Sequence, residues 1–293
     1  LEISDHRLAA LRAGDERIET NCLILATGAN GADTFAMLRN AEVALEAKPF
    51  QMGLRIEHPR ELIDRGVFGA SAGHPRLGAA DYVLSDGTIT AFCVCPGGTL
   101  VPAVSEAGCV CTNGMSGSAR DGEYTSGALV GTVTPADNAD ALSGLEFQRR
   151  WERAAFRLGG GDYTAPAQGA PEFITGRTGP LRRESSYPLG VRPAALKDVL
   201  PPALAVAIRV ALPKFERRIP GFSGPAALLA GPETRASCPV RILRDPARRV
   251  SRNVDGLYPV GEGAGYAGGI TSSAVDGLRS AEAVAGRFRP PPG

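Results

Sequence analysis

The chain lacks an excess of charge of either sign: 32 Lys and Arg stand against 31 Asp and Glu, a formal net charge of +1. That balance carries no electrostatic footprint for nucleic acid or for an anionic membrane surface, so neither is an expected partner. An apolar run of about 18 residues, the length a membrane-spanning helix needs, is also missing. The N-terminus has neither the basic start nor the apolar block of a signal peptide. Six cysteines in 293 residues are too few for a disulfide framework, which favours a reducing compartment. The expected location is cytoplasmic, or plastid if a transit segment stood upstream of Leu1. Internal repeats are absent.

Glycine (37) and proline (23) are plentiful but dispersed among apolar segments, which reads as turns and close backbone approaches rather than low complexity. The first segment predicts a strand over Leu8 to Arg12, a Gly14-Asp15 turn, a strand over Arg17 to Thr20, and a buried strand over Cys22 to Ala26 that ends in Thr27-Gly28. Asp33 then caps a helix from Thr34 to about Asn40. From Lys48-Pro49 onward come short strand-like pieces, clearest at Phe92-Cys93-Val94-Cys95, Thr99 to Val101 and Cys109 to Thr112. Helical patterns follow at Leu145 to Leu158, around Trp151, and at Ala203 to Val210, with Pro213 marking a break.

The closing stretch Gly256 to Ala283, GLYPVGEGAGYAGGITSSAVDGLRSAEA, holds the densest chemistry. A strand over Leu257 to Val260 leads through Gly261-Glu262-Gly263-Ala264-Gly265 and Gly268-Gly269-Ile270 into a helix from about Ser273 to Phe288. Along it Ala274, Leu278, Ala281 and Ala285 fall on one face. Glycines let backbone N–H groups approach a phosphate or a flat ring, and a helix start adds about half a positive charge. Glu262 is placed to accept hydroxyl hydrogen bonds, and Ala264 is small enough for close approach. A tight structural turn is the competing reading of such a loop. The candidate cofactor-binding residues are Thr27, Gly28, Gly261, Glu262, Gly263, Ala264, Gly268, Gly269 and Ile270.

Two CxC pairs, Cys93/Cys95 and Cys109/Cys111, admit three readings: buried apolar thiols, a redox couple, or zinc ligands. On regular strands residues two apart share a face. Cys93 and Cys95, followed by the Pro96-Gly97-Gly98 turn, are the candidate catalytic thiols; no residue set is assigned as a metal site. Cys22 and Cys238 read as structural. His58, between Glu57 and Pro59, reads as a structural histidine or an acid–base group. Arg55, Arg120, Arg235 and Arg241 are read as ion-pair partners or as anion-binding groups.

Over nearly its full length the sequence resembles a family of bacterial and plastid FAD-dependent dehydrogenases. The resemblance is carried by ILATG (24–28), DTF with ML (33–35, 37–38), EAKPF (46–50), GLRIEHP (53–59), LGAADY (77–82), CVCPGG (93–98), TNGMS (112–116), ARDGE (119–123), GDYTAPAQ (161–168), ETR (233–235), PVRI (239–242) and the closing glycine-rich motif. It implies an FAD-dependent oxidoreductase, with the flavin on the Gly261–Ile270 loop, NAD(P)H among the candidate donors, and an unidentified small-molecule substrate. The fold it implies is α/β: a partial Rossmann-like FAD/NAD(P)-binding domain over 1–49 and 240–293, with an inserted, mostly β domain over 50–239. Two departures stand out. Ala29-Asn30-Gly31-Ala32 replaces a bulkier polar stretch, and the strand–GxGxxG–helix that opens such domains is missing, so the chain reads as N-terminally truncated. The alternative function is a flavin-binding or interaction domain without catalytic activity in this form.

Overall fold

Residues 1–103 and 106–288 are described by a computed structural model. They form a mixed α/β protein whose contacts divide it into two units: Leu1–Phe50 with Thr134–Phe147 and Ser237–Gly293, and Gln51–Val133 with Gln148–Ala236. The sequence reading placed Thr134–Phe147 inside the insertion. The contacts group it with the first unit, because Leu142 and Leu145 pack with Leu25, Phe35, Leu38, Val240 and Leu257 in one buried cluster.

The first unit opens with a three-stranded antiparallel sheet, Glu2–Ser4, Arg7–Ala13 and Glu16–Glu19. Asp5 and His6 make its first turn with φ of 48° and 60°, the positive pair that a two-residue hairpin loop demands. Gly14 (φ 62°) opens the second turn. The short strand Leu23–Leu25 pairs in parallel with Leu257–Pro259, in register Leu23↔Leu257 to Leu25↔Pro259. An isolated parallel bridge, Arg7↔Asp255, stands beside this pair.

The helix after the first of these strands spans Ala32–Asn40, two residues earlier than expected. Asp33 therefore sits inside its first turn and accepts the Thr34 N–H at 2.9 Å, while Gly31 is the cap and supplies no side-chain bond. An acid in that turn still complements the helix dipole. The closing helix spans Ile270–Arg287, and its expected apolar face is not the buried one. Ala274, Leu278, Ala281 and Ala285 are exposed, and the buried positions are Asp276 and Ser280. Two arginines decide the outcome: Arg244 and Arg249 both bind Asp276, and Arg249 Nε also binds Ser280 Oγ at 2.9 Å. Bonds of this strength to a partly buried carboxylate outweigh the burial of a few alanine methyls.

The second unit is built on an eight-stranded, largely antiparallel sheet. Its order is Val191–Pro193, Ala165–Gly169, Leu228–Glu233, Phe50–Pro59, Tyr124–Val133, Ile89–Pro102 and Leu84–Ser85, with Thr112–Ser116 also paired to Ile89–Pro102. The central strand Phe50–Pro59 is buried nearly throughout. Gly53 is required there, since a Cβ would lie 1.8 Å from the Leu129 carbonyl oxygen.

Three local expectations change in this unit. Phe92–Cys95 and Thr99–Val101 belong to one long strand rather than two. Cys109 to Cys111 lie outside any strand, which begins only at Thr112. Pro213 does not end its helix, which runs Pro202–Glu216. Its ring lies on the exposed side, and burial of Leu204, Ile208, Ala211, Leu212 and Phe215 on the other side offsets the lost backbone bond. Among the described residues no helix is long and apolar enough to cross a membrane.

Candidate functional site

Strand pairing in the first unit brings the Thr27-Gly28 loop against the Gly261-Glu262-Gly263 loop. Both leave the carboxyl ends of adjacent parallel strands, and the Val260 N–H continues the ladder to Leu25 O at 2.9 Å. Ends of parallel strands are where α/β sheets place ligands. At the contact a Cβ on Gly263 would lie 2.2 Å from the Gly28 carbonyl oxygen, so only glycine lets the two backbones meet. Gly261 and Gly265 hold φ of 78° and 82°, and the loop closes on itself through Gly265 N–H to Glu262 O at 2.8 Å.

Past this turn Gly268, Gly269 and Ile270 are exposed, Ile270 by 93%. The helix starts on Gly269 with no side-chain cap and no acid in its first turn, leaving its orphan N–H groups without a protein carboxylate. A Cβ on Gly268 would meet nothing within 4 Å, and one on Gly269 only Ser272 Oγ at 3.8 Å. Glycine at these two positions is therefore not required by packing. Glu262 is half-buried and its side chain has no hydrogen-bond partner among the described residues. Burial pushes its carboxyl above the usual range, against the pull of the Lys48 ammonium. Ala264 is buried in the core cluster, so its side chain serves packing.

A residue the sequence reading passed over fixes this loop. Asp276 Oδ2 accepts the Gly261 N–H at 2.8 Å and Arg244 Nη1 at 2.9 Å. Its Oδ1 accepts Arg244 Nη2 at 2.6 Å and a further bond from Arg249. Burial opposes ionisation, but the bonds from Arg244 and Gly261 and the two arginine charges hold the carboxyl down to about 2. Arg244 also donates to Pro259 O at 2.6 Å and lies 3.8 Å over the Tyr266 ring. The available signal was an aspartate followed four residues later by serine in mid-helix, where both residue types are disfavoured unless bonded.

Two of the other singled-out residues touch the loop: Arg241 Nε donates to Gly265 O at 3.4 Å, and Cys238 Sγ lies 3.8 Å from Gly263 O. Cys93 and Cys95 belong to the second unit and do not share a regular strand face. Cys93 has φ 51° and is exposed, and Cys95 is half-buried beside Arg55. Cys109, Cys111 and Cys238 are buried, and burial pushes Cys111 and Cys238 up to about 11. Among the described residues no three His, Cys, Asp or Glu side chains are grouped to hold a metal ion.

His58 is fully buried, its Nε2 2.7 Å from Phe222 O, which makes it part of the packing around Phe222. Arg55 pairs with Glu233, and Arg241 with Glu46 at 3.0 Å. Arg235 joins Glu152 at 2.8 Å and Glu106 at 3.1 Å. Arg120 is exposed at a turn with φ 52°.

Comparison with known proteins adds the family. A family profile described as FAD-dependent protein, C-terminal domain-like, matches residues 49–236, a span that does not reach the Gly261–Ile270 loop. An uncharacterized protein of Clostridium beijerinckii (strain ATCC 51743 / NCIMB 8052) is 42% identical over 294 residues. That alignment covers 97% of this chain and 55% of the relative, so the chain spans little more than half of the relative's length. With well over half of its sequence inside the profile, and a long relative at this identity, the chain belongs to the family of FAD-dependent proteins with this C-terminal domain.

Proposed function

We propose that Thr27-Gly28, Gly261–Gly263 and Gly268–Ile270 bind FAD and that the protein acts as an FAD-dependent oxidoreductase. The observation that carries the reading is the pairing of two features. One is a glycine contact that no other residue can make, Gly263 on Gly28. The other is an exposed, uncapped helix start at Gly269 whose glycines the fold itself does not need.

These residues fit the cofactor. Backbone N–H groups at the helix start and its dipole favour an electron-rich or anionic group. The unpartnered Glu262 carboxylate is an acceptor for ribityl or ribose hydroxyls, and Asp276 holds the Gly261 amide in place. FAD, when bound, supplies hydride and electron transfer, with NAD(P)H the proposed donor. The partial Rossmann-like reading of the first unit rests on the same parallel pair and belongs to this proposal. Six free cysteines fit a reducing cytoplasmic setting.

The test is FAD titration of the purified chain, followed by flavin fluorescence and calorimetry, beside Gly269→Val. Packing does not oppose the variant, because its Cβ would meet only Ser272 Oγ, at 3.8 Å. It should weaken FAD binding at least tenfold by blocking backbone approach. A chain that takes up no FAD, or a variant that binds it equally well, refutes the site. Flavin that binds but is reduced by no nicotinamide or thiol donor would leave a binding protein without this activity.

A further inference from the structure

Cys93 and Cys95 stand where the strand Ile89–Pro102 departs from regular pairing. Between the pairs Phe92↔Ala128 and Cys95↔Ser126 this strand takes three residue steps against two on its neighbour, and the surplus recurs between Cys95↔Ser126 and Gly98↔Tyr124. Each bulge turns one residue left-handed: Gly97 at φ 55° and Cys93 at φ 51°. Glycine is what such a position selects. A cysteine there breaks the local rule, and strain of this kind collects at functional positions.

Beneath the bulges lies a fixed positive charge. Arg55 is fully buried. Its Nη2 donates to Cys93 O at 3.2 Å and to Ser126 Oγ at 3.1 Å, and sits 3.5 Å from Cys95 Sγ. Its Nη1 faces Glu233 at 3.4 Å and Asn113 Oδ1 at 3.5 Å. Gly114 leaves room for the group, since a Cβ there would lie 2.2 Å from Nη2. The titratable and charged groups facing Cys95 are Arg55, Cys93, Glu233 and Tyr82. Burial pushes the Cys95 thiol up, and Arg55 pulls it the other way. The outer thiol is thus open to solvent, and the inner one is backed by a guanidinium.

We propose that Cys93 and Cys95 form a dithiol couple that reduces low-molecular-weight disulfides, with Arg55 as the positioning residue for the Cys95 thiolate. The Cys93 thiolate attacks one sulfur of a disulfide RSSR, forming the Cys93–S–S–R bond and releasing RS⁻, which solvent protonates. Cys95 gives up its proton to solvent, and its thiolate attacks Cys93 Sγ. That step breaks the mixed disulfide, releases the second RS⁻ and forms the Cys93–Cys95 disulfide. Two protein thiols are oxidised and one disulfide becomes two thiols, with two electrons and two protons balanced. No step uses a flavin, so this inference stands or falls apart from the cofactor reading.

The experiment treats the fully reduced 293-residue chain, freed of reductant, with glutathione disulfide. The reaction is quenched in acid, alkylated and mapped by mass spectrometry. The peptide holding both cysteines should become lighter by two hydrogens and resist alkylation, with two glutathione thiols released per chain. Cys93→Ser should abolish the reaction at this peptide, and Cys95→Ser should stop it at a glutathione adduct on Cys93. Both cysteines remaining open to alkylation, or adducts accumulating on either without the Cys93–Cys95 disulfide, would overturn the couple. The paired change Arg55→Met with Glu233→Gln removes both charges without leaving one orphaned. It should move the pH profile of the second step upward and slow that step at least tenfold at neutral pH. An unmoved profile removes Arg55 from the proposal.

Discussion

Replacing Asp276 by alanine should loosen the glycine-rich loop far more than an exposed helix substitution would. Both carboxylate oxygens are used: Gly261 N–H and Arg244 on one, Arg244 and Arg249 on the other. The side chains of Asp276, Arg244 and Arg249 are 10%, 4% and 12% exposed, so the variant strands two guanidinium groups with little water to take over. Breaking a buried pair in this way costs about 3–5 kcal/mol. Arg244 keeps Pro259 O and the Tyr266 ring, which places the loss near the lower end, about 3 kcal/mol.

The assay is native-state hydrogen exchange of the amides around Gly261. A loss of about 3 kcal/mol speeds exchange roughly a hundredfold or more. Acid supplies an independent arm. The Asp276 carboxyl is held down to about 2 in the fold, against about 3.9 when unfolded. A depressed carboxyl contributes stability above its unfolded value, lost as pH falls toward the folded one. The first unit should therefore weaken between about pH 4 and pH 2, by about 1–2 kcal/mol after solvent screening. The alanine variant should lack that portion of the acid slope. Unchanged Gly261 exchange together with an unchanged slope would refute the reasoning.

Gly263→Ala should cost about 1–3 kcal/mol by thermal or urea unfolding, because its methyl would lie 2.2 Å from Gly28 O, while Gly268→Ala enters open space and should stay within about 0.5–1 kcal/mol. His58 is driven down to about 4, chiefly by burial, which outweighs its Phe222 carbonyl bond. A lowered histidine leaves the folded state neutral while the unfolded chain protonates near about pH 6.5. The second unit should accordingly lose about 3 kcal/mol as pH falls from about 6.5 to 4. Trp151 emission during urea unfolding follows the loss, and the ring titration follows the group directly. On the closing helix, Leu278→Glu should change stability by less than about 0.5 kcal/mol, whereas Ser280→Leu should cost about 1–3 kcal/mol through overpacking and the lost Arg249 bond. Denaturation midpoints of the two variants test which face is buried.

The sequence by itself determined the features that depend on short-range sterics. The Gly14 turn, the strand leading to Thr27-Gly28 and the Gly261–Ile270 loop between strand and helix follow from where glycine, β-branched and apolar residues stand. They need no distant partner to be read. Strand pieces in the middle of the chain were legible for the same reason, although helices such as Arg60–Phe68 and Pro202–Glu216 stand among them. Tertiary structure decided the rest, and in each case a remote group outweighed the local pattern. The closing helix turns its alanine and leucine face outward because Arg244 and Arg249, more than twenty residues away, bind Asp276 and Ser280. Pro213 stays helical because the opposite face is buried. Cys93 leaves the strand face because the bulge between Phe92 and Cys95, set by pairing with Tyr124–Val133, shifts it there. The glycine-rich loop announces itself in sequence. What holds it is an aspartate and two arginines whose role exists only once the chain has folded, because charge pairing depends on distance in space rather than on spacing along the chain.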